Sequence, residues 1–410
     1  LLGAIEYFHG DGTGVFEPGP TSYSDVWRTQ YWDAFDFNSD GNADLAAAFR
    51  AEDQLVRIYG NGDGSFDTGG MFIFEAGIDR LVSISAPPFP FTPLPEKPRE
   101  FIVTIRETGT PAYSEYFRSD LRPGLLPTPD IIVSSHETSA GSLGAAVADF
   151  DGDGDTDFVT ADGEGDVFFF SNTGSNTFVP STVASGLAVD GAARGFAAAD
   201  LDGDYDMDFA FSGDNNTLFI AINTGAGAFS ISTLTSGTVS GPLYAKDAAD
   251  IDGDGFVDIL AAVQYDVVVF PGVGGGSFGP DFSLGLNVLD MQPRLLAAGD
   301  FDGDDLVDIV AGGDSARGLF FRSLGDGSFA SPVRAYSLPH DSAHSGDAYD
   351  MDGDGLADLT VVMPTTGNTI SCAARATALS PMPSSLTTAS NSLPPLRPPA
   401  LRGRACRTSP

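Results

Sequence analysis

The segment DFDGDGDTDF, residues 149–158, places five carboxylates, Asp149, Asp151, Asp153, Asp155 and Asp157, at alternate positions of one short stretch. The pattern returns as DFNSDGNADL (36–45), DLDGDYDMDF (200–209), DIDGDGFVDI (250–259), DFDGDDLVDI (300–309) and DMDGDGLADL (350–359). The leading Asp falls at 36, 149, 200, 250, 300 and 350, so the last four steps are 51, 50, 50 and 50 residues and the first is 113, about two periods. A fixed period of this length means repeated copies of one supersecondary unit, each unable to bury its apolar face alone.

Each unit carries the same punctuation. Small residues precede the acidic segment in GAAVAD (144–149), FAAAD (196–200) and LLAAGD (295–300), while apolar runs such as DVFFF (166–170) and DVVVF (266–270) follow it. Then comes a Gly-rich turn ending in Phe: GNGDGSF (60–66), NTGSNTF (172–178), NTGAGAF (223–229), GVGGGSF (272–278) and LGDGSF (324–329). Short apolar strands joined by glycine turns read as hairpins. Small side chains suit strands that crowd around a central axis, as the inner strands of a propeller blade do.

The long first step hides one more unit. PREFIVTI (98–105) looks like the strand after an acidic loop, with Glu100 and Phe101 standing where Asp157 and Phe158 stand, but the loop itself is replaced by PPFPFTPLPEKP (87–98), which has no chelating spacing. The N-terminal IEYFHGDGTGVFEPG (5–19) resembles the second half of a unit, and the unit begun at 350 lacks that half. The expected fold is therefore all-β: a seven-bladed β-propeller over residues 1–370, degenerate in its second blade at about 70–125, its ring closed by N-terminal strands joining the last blade. Residues 371–410, rich in Ser, Pro and Arg and free of acidic side chains, are expected to be a disordered tail.

A formal charge of −37 sets the chain against nucleic-acid phosphates and anionic lipid. No apolar run approaches the roughly 18 residues of a membrane span, so no membrane insertion is expected. Cys372 and Cys406 both lie in the tail, which leaves the main body without disulfides or thiol ligands. The sequence opens LLGAIEYFHG, without a basic segment followed by an apolar one, so no signal peptide is read within it.

Carboxylates about 4 Å apart repel one another by about 4 kcal/mol at a surface-like dielectric, so a loop this acidic needs a cation. Alternating oxygens converging on one point suit Ca²⁺, which accepts about 6–8 of them, better than Mg²⁺, which retains its waters. In the 149 loop the expected ligands are Asp149, Asp151 and Asp153, the carbonyl of Asp155 and a bidentate Asp157. The equivalent sets are Asp200, Asp202, Asp204, Asp206 and Asp208; Asp250, Asp252, Asp254, Phe256 and Asp258; Asp300, Asp302, Asp304, Leu306 and Asp308; Asp350, Asp352, Asp354, Leu356 and Asp358. The least charged set is Asp36, Asn38, Asp40, Asn42 and Asp44. An EF-hand is excluded, because its twelfth position needs Glu and here holds Ala47, Thr160, Phe211, Ala261, Ala311 and Val361. The sixth position should turn with positive φ, which glycine does freely at 41, 154, 255 and 355, whereas Tyr205 and Asp305 are expected to weaken their sites.

At tenfold excess of calcium each site adds about 1.4 kcal/mol, and about six ions add about 8 kcal/mol, comparable with the net stability of a domain. Calcium near millimolar is found outside cells, so an extracellular or cell-surface location is expected.

Loop, following strand and Gly-Phe turn together resemble the FG-GAP repeats of integrin α-subunit propellers and their bacterial VCBS-type relatives. The resemblance covers about residues 5–370 and implies a seven-bladed propeller with calcium held in loops on one face. It also implies work outside the cell in adhesion, carbohydrate recognition or protein recognition. The expected function is a calcium-stabilised, monomeric module binding a glycan or an extracellular protein. The alternatives are the propeller domain of a carbohydrate-active enzyme, such as a polysaccharide lyase, or a spacer in a larger surface protein. No catalytic residue is assigned: Ser277 in GGSFG (275–279) lies in a hairpin turn rather than a nucleophile elbow, and His340 and His344 lack helical surroundings. Trp27, Tyr31 and Trp32 suit either sugar stacking or blade packing.

Overall fold

A computed structural model describes residues 3–10, 12, 16–26, 29–35, 40–49, 54–63, 65–67, 81–85, 102–106, 112–117, 134–138, 142–173, 178–189, 195–286, 293–313, 317–337, 345–351 and 354–364. The chain divides into Leu1–Thr377 and Ala378–Pro410, and every described residue belongs to the first unit. Residues 371–410 therefore lie outside the described residues, as do Trp27, Glu100, Phe101, His340 and His344.

The described residues form seven four-stranded antiparallel sheets and no α-helix. In the 149 unit the strands run Ser142–Ala148, Asp157–Asp162, Val167–Asn172 and Phe178–Ala184, in that spatial order. The acidic loop joins the first strand to the second, and the Gly-rich turn joins the third to the fourth. The same plan holds for Phe196–Ala199, Asp208–Ser212, Thr217–Asn223 and Phe229–Thr235, and for Pro293–Gly299, Asp308–Gly313, Arg317–Phe321 and Val333–Ser337. The unit hidden in the long first step is a sheet of Leu81–Ser85, Ile102–Arg106, Ala112–Phe117 and Ser134–Thr138. Its second strand overlaps the end of PREFIVTI and runs one residue past it to Arg106, and its fourth extends to Thr138.

Both ends of the described chain meet in one sheet. Gly3–Gly10 pairs antiparallel with Asp358–Pro364 and lies between it and Phe16–Val26, so the N-terminal strands supply the third and fourth strands of the unit begun at Ser345–Tyr349. The Nδ1 of His9 lies 3.3 Å from Oδ1 of Asp358 at this junction.

Burial follows the sequence texture across each sheet. The second strand Asp157–Asp162 is buried throughout and Val167–Phe170 with it, whereas Phe178–Ala184 is largely exposed. Runs buried on both faces read as continuous hydrophobics, while a strand with one wet face mixes in Ser and Thr. The core lies between sheets: Phe150 and Phe169 of one unit share a cluster with Phe209, Phe211 and Phe219 of the next, and Ile251 and Leu260 share one with Ile309 and Leu319.

The repeating Phe of the Gly-rich turn has a defined place in this packing. Phe229 meets Phe150, the second residue of the preceding acidic loop, edge-on with ring centroids 5.8 Å apart. Phe16 meets Phe301 in the same relation at 5.2 Å. Phe278 packs against the cluster that contains Leu201, and Phe329 against the one that contains Ile251, the second residues of the preceding loops. These four turns are thus anchored on the loop of the neighbouring unit, which puts those loops at seams between sheets, whereas Phe178, whose preceding unit has no acidic loop, packs on Phe158 of its own unit.

Candidate functional site

Each acidic loop is wound by its own carboxylates before any ion is considered. The first Asp accepts backbone N–H groups from within the loop: Gly154 donates to Asp149, Tyr205 to Asp200, Gly255 to Asp250, Asp305 to Asp300 and Gly355 to Asp350, all at 2.9–3.0 Å. The fifth-position Asp accepts from the residue two further on, as Asp153 does from Asp155, Asp204 from Asp206, Asp254 from Phe256, Asp304 from Leu306, Asp354 from Leu356 and Asp40 from Asn42. These side-chain bonds wind the loop tightly, and the winding passes through left-handed backbone. The sixth position has φ of +83° to +94° at Gly41, Gly154, Gly255 and Gly355, and Tyr205 and Asp305 share it at +74° and +63°. The fourth position is left-handed as well, at Gly152, Gly203, Gly253 and Gly303.

The carboxylates converge. Ligand atoms of Asp149, Asp151 and Asp157 lie within 4.8 Å of one another, as do those of Asp200, Asp202 and Asp208, of Asp250, Asp252 and Asp254, and of Asp300, Asp302 and Asp304. Four loops therefore present an Asp triad able to hold a metal ion. In the first and last loops Asp36, Asn38 and Asp352 lie outside the described residues, while Asp40, Asn42, Asp44, Asp350, Asp354, Leu356 and Asp358 keep their equivalent places.

The ninth-position Asp has a second task. Asp44, Asp157, Asp208, Asp258, Asp308 and Asp358 are fully buried. Oδ1 of Asp157 accepts the Asn172 N–H at 2.7 Å and Oδ2 accepts those of Phe150 and Asp151 at 3.0 and 3.1 Å. Asp208 is held the same way by Asn223 and Leu201, Asp258 by Gly272 and Ile251, and Asp308 by Ser323 and Phe301. This carboxylate ties the start of its loop to the end of the third strand. The neighbouring unit is tied in too, where Asn223 Nδ2 donates to the Phe150 carbonyl at 2.6 Å and the Gly275 N–H donates to that of Asp202 at 3.1 Å.

Burial dominates the electrostatics. It pushes the Asp157, Asp208 and Asp308 carboxyls up to about 7 and that of Asp258 to about 6, against backbone hydrogen bonds that pull them down. Burial also raises Asp149, Asp202 and Asp252, with adjacent loop carboxylates adding to it. Carboxylates held together where water does not fully solvate them are a cradle for positive charge. Among the described loop carboxylates, Oδ1 of Asp302 is buried and has no hydrogen-bond donor. The residues present fit a divalent cation, and the all-oxygen donor set fits a hard one.

Two features went unread in the sequence. Ser171 Oγ donates to Asp151 Oδ2 at 2.7 Å from the end of the third strand. At the corresponding place in the 300 unit stands Arg322, whose Nε and Nη2 reach Asp302 and Asp304 at 2.5 and 2.7 Å. The signal was a lone Arg in a column that holds Tyr59, Ser171, Ile222, Pro271 and His9 in the other acidic-loop units. Among the other candidates, Ser277 sits in the turn where the Val273 N–H donates to its carbonyl at 2.9 Å, with no helix after it.

Comparison with known proteins accords with this arrangement. No curated protein matches the chain. Among solved structures it is similar in fold to BBS1N in complex with ARL6DN, at 13% identity and a TM-score of 0.53, over 89% of this chain and 98% of that one. A second structure of that complex gives 14% identity and 0.52 over 88% and 99%. A lectin of Agrocybe aegerita, solved for its specific recognition of non-reducing terminal N-acetylglucosamine, aligns over 82% of this chain and 90% of its own at 16% identity and a TM-score of 0.49. The structural neighbours are β-propeller proteins, and the repeated four-stranded antiparallel sheets here are consistent with that architecture. A model of the FG-GAP-like repeat matches residues 149–211, 200–261, 250–311 and 300–361, each match running from one acidic loop through the next. The chain belongs to the FG-GAP-like repeat family.

Proposed function

We propose that the chain is a non-enzymatic recognition module, stiffened by calcium, that works outside the cell and presents its loops to a glycan or a protein ligand. The observation that carries this reading is the recurrence of converging Asp triads, positions 1, 3 and 9 in the 149 and 200 loops and positions 1, 3 and 5 in the 250 and 300 loops, in one backbone conformation at the seams between sheets. Oxygen-only ligands at alternate positions favour Ca²⁺ over Mg²⁺ or a transition metal. Ions at the seams would hold each turn on its neighbour's loop, adding about 1.4 kcal/mol per site at tenfold excess of calcium. Sites with the dissociation constants of extracellular calcium modules, about 10⁻⁴ M, fill only where calcium is near millimolar, which favours an extracellular location.

The reading includes a closed ring of seven blades. It is supported by the seven sheets, by the pairing of Gly3–Gly10 with Asp358–Pro364, and by the first strands. Ser142–Ala148 neighbours Phe196–Ala199, and the series continues through Tyr244–Ala249, Pro293–Gly299, Ser345–Tyr349, Thr29–Phe35 and Leu81–Ser85 back to Ser142–Ala148. A ring leaves no open sheet edge.

A glycan array and a surface-display protein library, probed with and without EGTA, test recognition, beside a turnover screen on acidic polysaccharides. Calcium-dependent binding without turnover is expected. Polysaccharide cleavage by the purified chain would overturn the reading.

A further inference from the structure

Arg322 occupies half exposed space at the rim of the 300 loop and spans two of its carboxylates, Asp302 Oδ2 through Nε and Asp304 Oδ2 through Nη2. The sister positions Tyr59, Ser171, Ile222 and Pro271 carry no cation, and the 350 unit has His9 there, beside Asp358 rather than across two loop carboxylates. The 300 loop carries five Asp residues, as the 149 and 200 loops do, but places one of them, Asp305, at the sixth position, where Gly154, Gly255 and Gly355 stand in other units. A guanidinium just past the third strand, bridging two carboxylates, offsets part of the loop's negative charge and pins the loop to its own sheet. It leaves Oδ1 of Asp302, on a side chain 10% exposed, without a donor.

We propose that Arg322 is a built-in counter-cation: it holds the 300 loop in its wound conformation without metal and, by its charge, weakens that loop's grip on a divalent ion at Asp302 Oδ1. The 300 loop is then the unit that stays ordered when calcium falls, while its sister loops loosen. Its second half rests on the calcium reading; its first half does not, because the guanidinium acts on the empty loop.

Hydrogen exchange read by mass spectrometry on the full chain separates the two. The amides of Gly303, Asp304 and Asp305 donate to Asp300 just as those of Gly253, Asp254 and Gly255 donate to Asp250, which makes the two loops internal controls for each other. In EGTA the 250 amides are expected to exchange at least about tenfold faster than the 300 amides, and Arg322→Gln to bring the 300 amides to the rate of the 250 amides. In a terbium titration followed by luminescence, Arg322→Gln should tighten one site, that of the 300 loop, by about tenfold. Equal exchange of both loops in the EGTA-treated wild type, or no effect of Arg322→Gln on the 300 amides in EGTA, would overturn the proposal. Loss of the terbium signal from wild type and variant alike would overturn the metal half and the calcium reading while the exchange result in EGTA stood by itself.

Discussion

Removing calcium should reverse the pH dependence of stability. In the metal-free fold Asp157, Asp208 and Asp308 carry pKa values of about 7 and Asp258 of about 6, all raised by burial. At pH 6.5 these groups hold roughly two protons that the unfolded chain, with aspartates near 3.9, has already released. Because the folded chain binds the extra protons, stability falls as pH rises from about 4 through 7, at about 1.4 kcal/mol per pH unit for each proton, or roughly 3 kcal/mol in all. Halving this for the water that reaches the loop mouths leaves roughly 1.5 kcal/mol per unit. For a chain of this size that moves Tm by roughly 2 °C per pH unit. With saturating calcium the carboxylates are charged in the fold and their pKa values are depressed, so stability stays level above about pH 5 and is lost as pH falls. Differential scanning fluorimetry from pH 5.5 to 7.5, in EGTA and in millimolar calcium, reads both profiles. Parallel profiles in the two media would refute the reasoning.

Three substitutions probe separate parts of the seam. Tyr205→Asn should raise stability by about 0.5–1 kcal/mol in urea unfolding, since Tyr205 is 93% exposed and sits at φ +74°, where asparagine is easier. Asn223→Ala, which strips the Phe150 and Met207 carbonyls of their donor, should cost about 1–3 kcal/mol, read from the urea midpoint. Gly227→Ala combines a left-handed φ of +70° with a Cβ 2.3 Å from a ring atom of Phe169, and should lower stability by about 2 kcal/mol or more by thermal unfolding.

Local features of the fold were legible because they are written in sequence order. Alternating Asp with Gly at the turning positions specifies the loop, and left-handed φ at position six follows from Gly154 and Gly255, with Tyr205 forced to comply. The 50-residue period predicted the hidden unit even though PPFPFTPLPEKP has none of the loop's chemistry, because burial of the sheet needs the strand and not the ligands. The illegible part is what one unit does to another. A Phe ending each turn was visible; that Phe229 rests on Phe150, about 80 residues earlier, was not, since periodicity gives the unit and not its neighbour's contact point. The ninth-position Asp read as a ligand alone, yet its two oxygens also fasten strand three to the loop start, a pairing of Asp157 with Asn172 and Phe150 that only closure of the sheet creates. Arg322 stood in the sequence as an ordinary surface arginine, because nothing before folding places it over Asp302.

Calcium stoichiometry by native mass spectrometry, on chain first stripped with EGTA and then titrated, bears most directly on whether these loops are metal centres. Stepwise uptake of about six Ca²⁺ is the predicted result, one for each acidic segment of the sequence, with magnesium at equal concentration failing to displace them. An unchanged mass at millimolar free calcium would contradict the account.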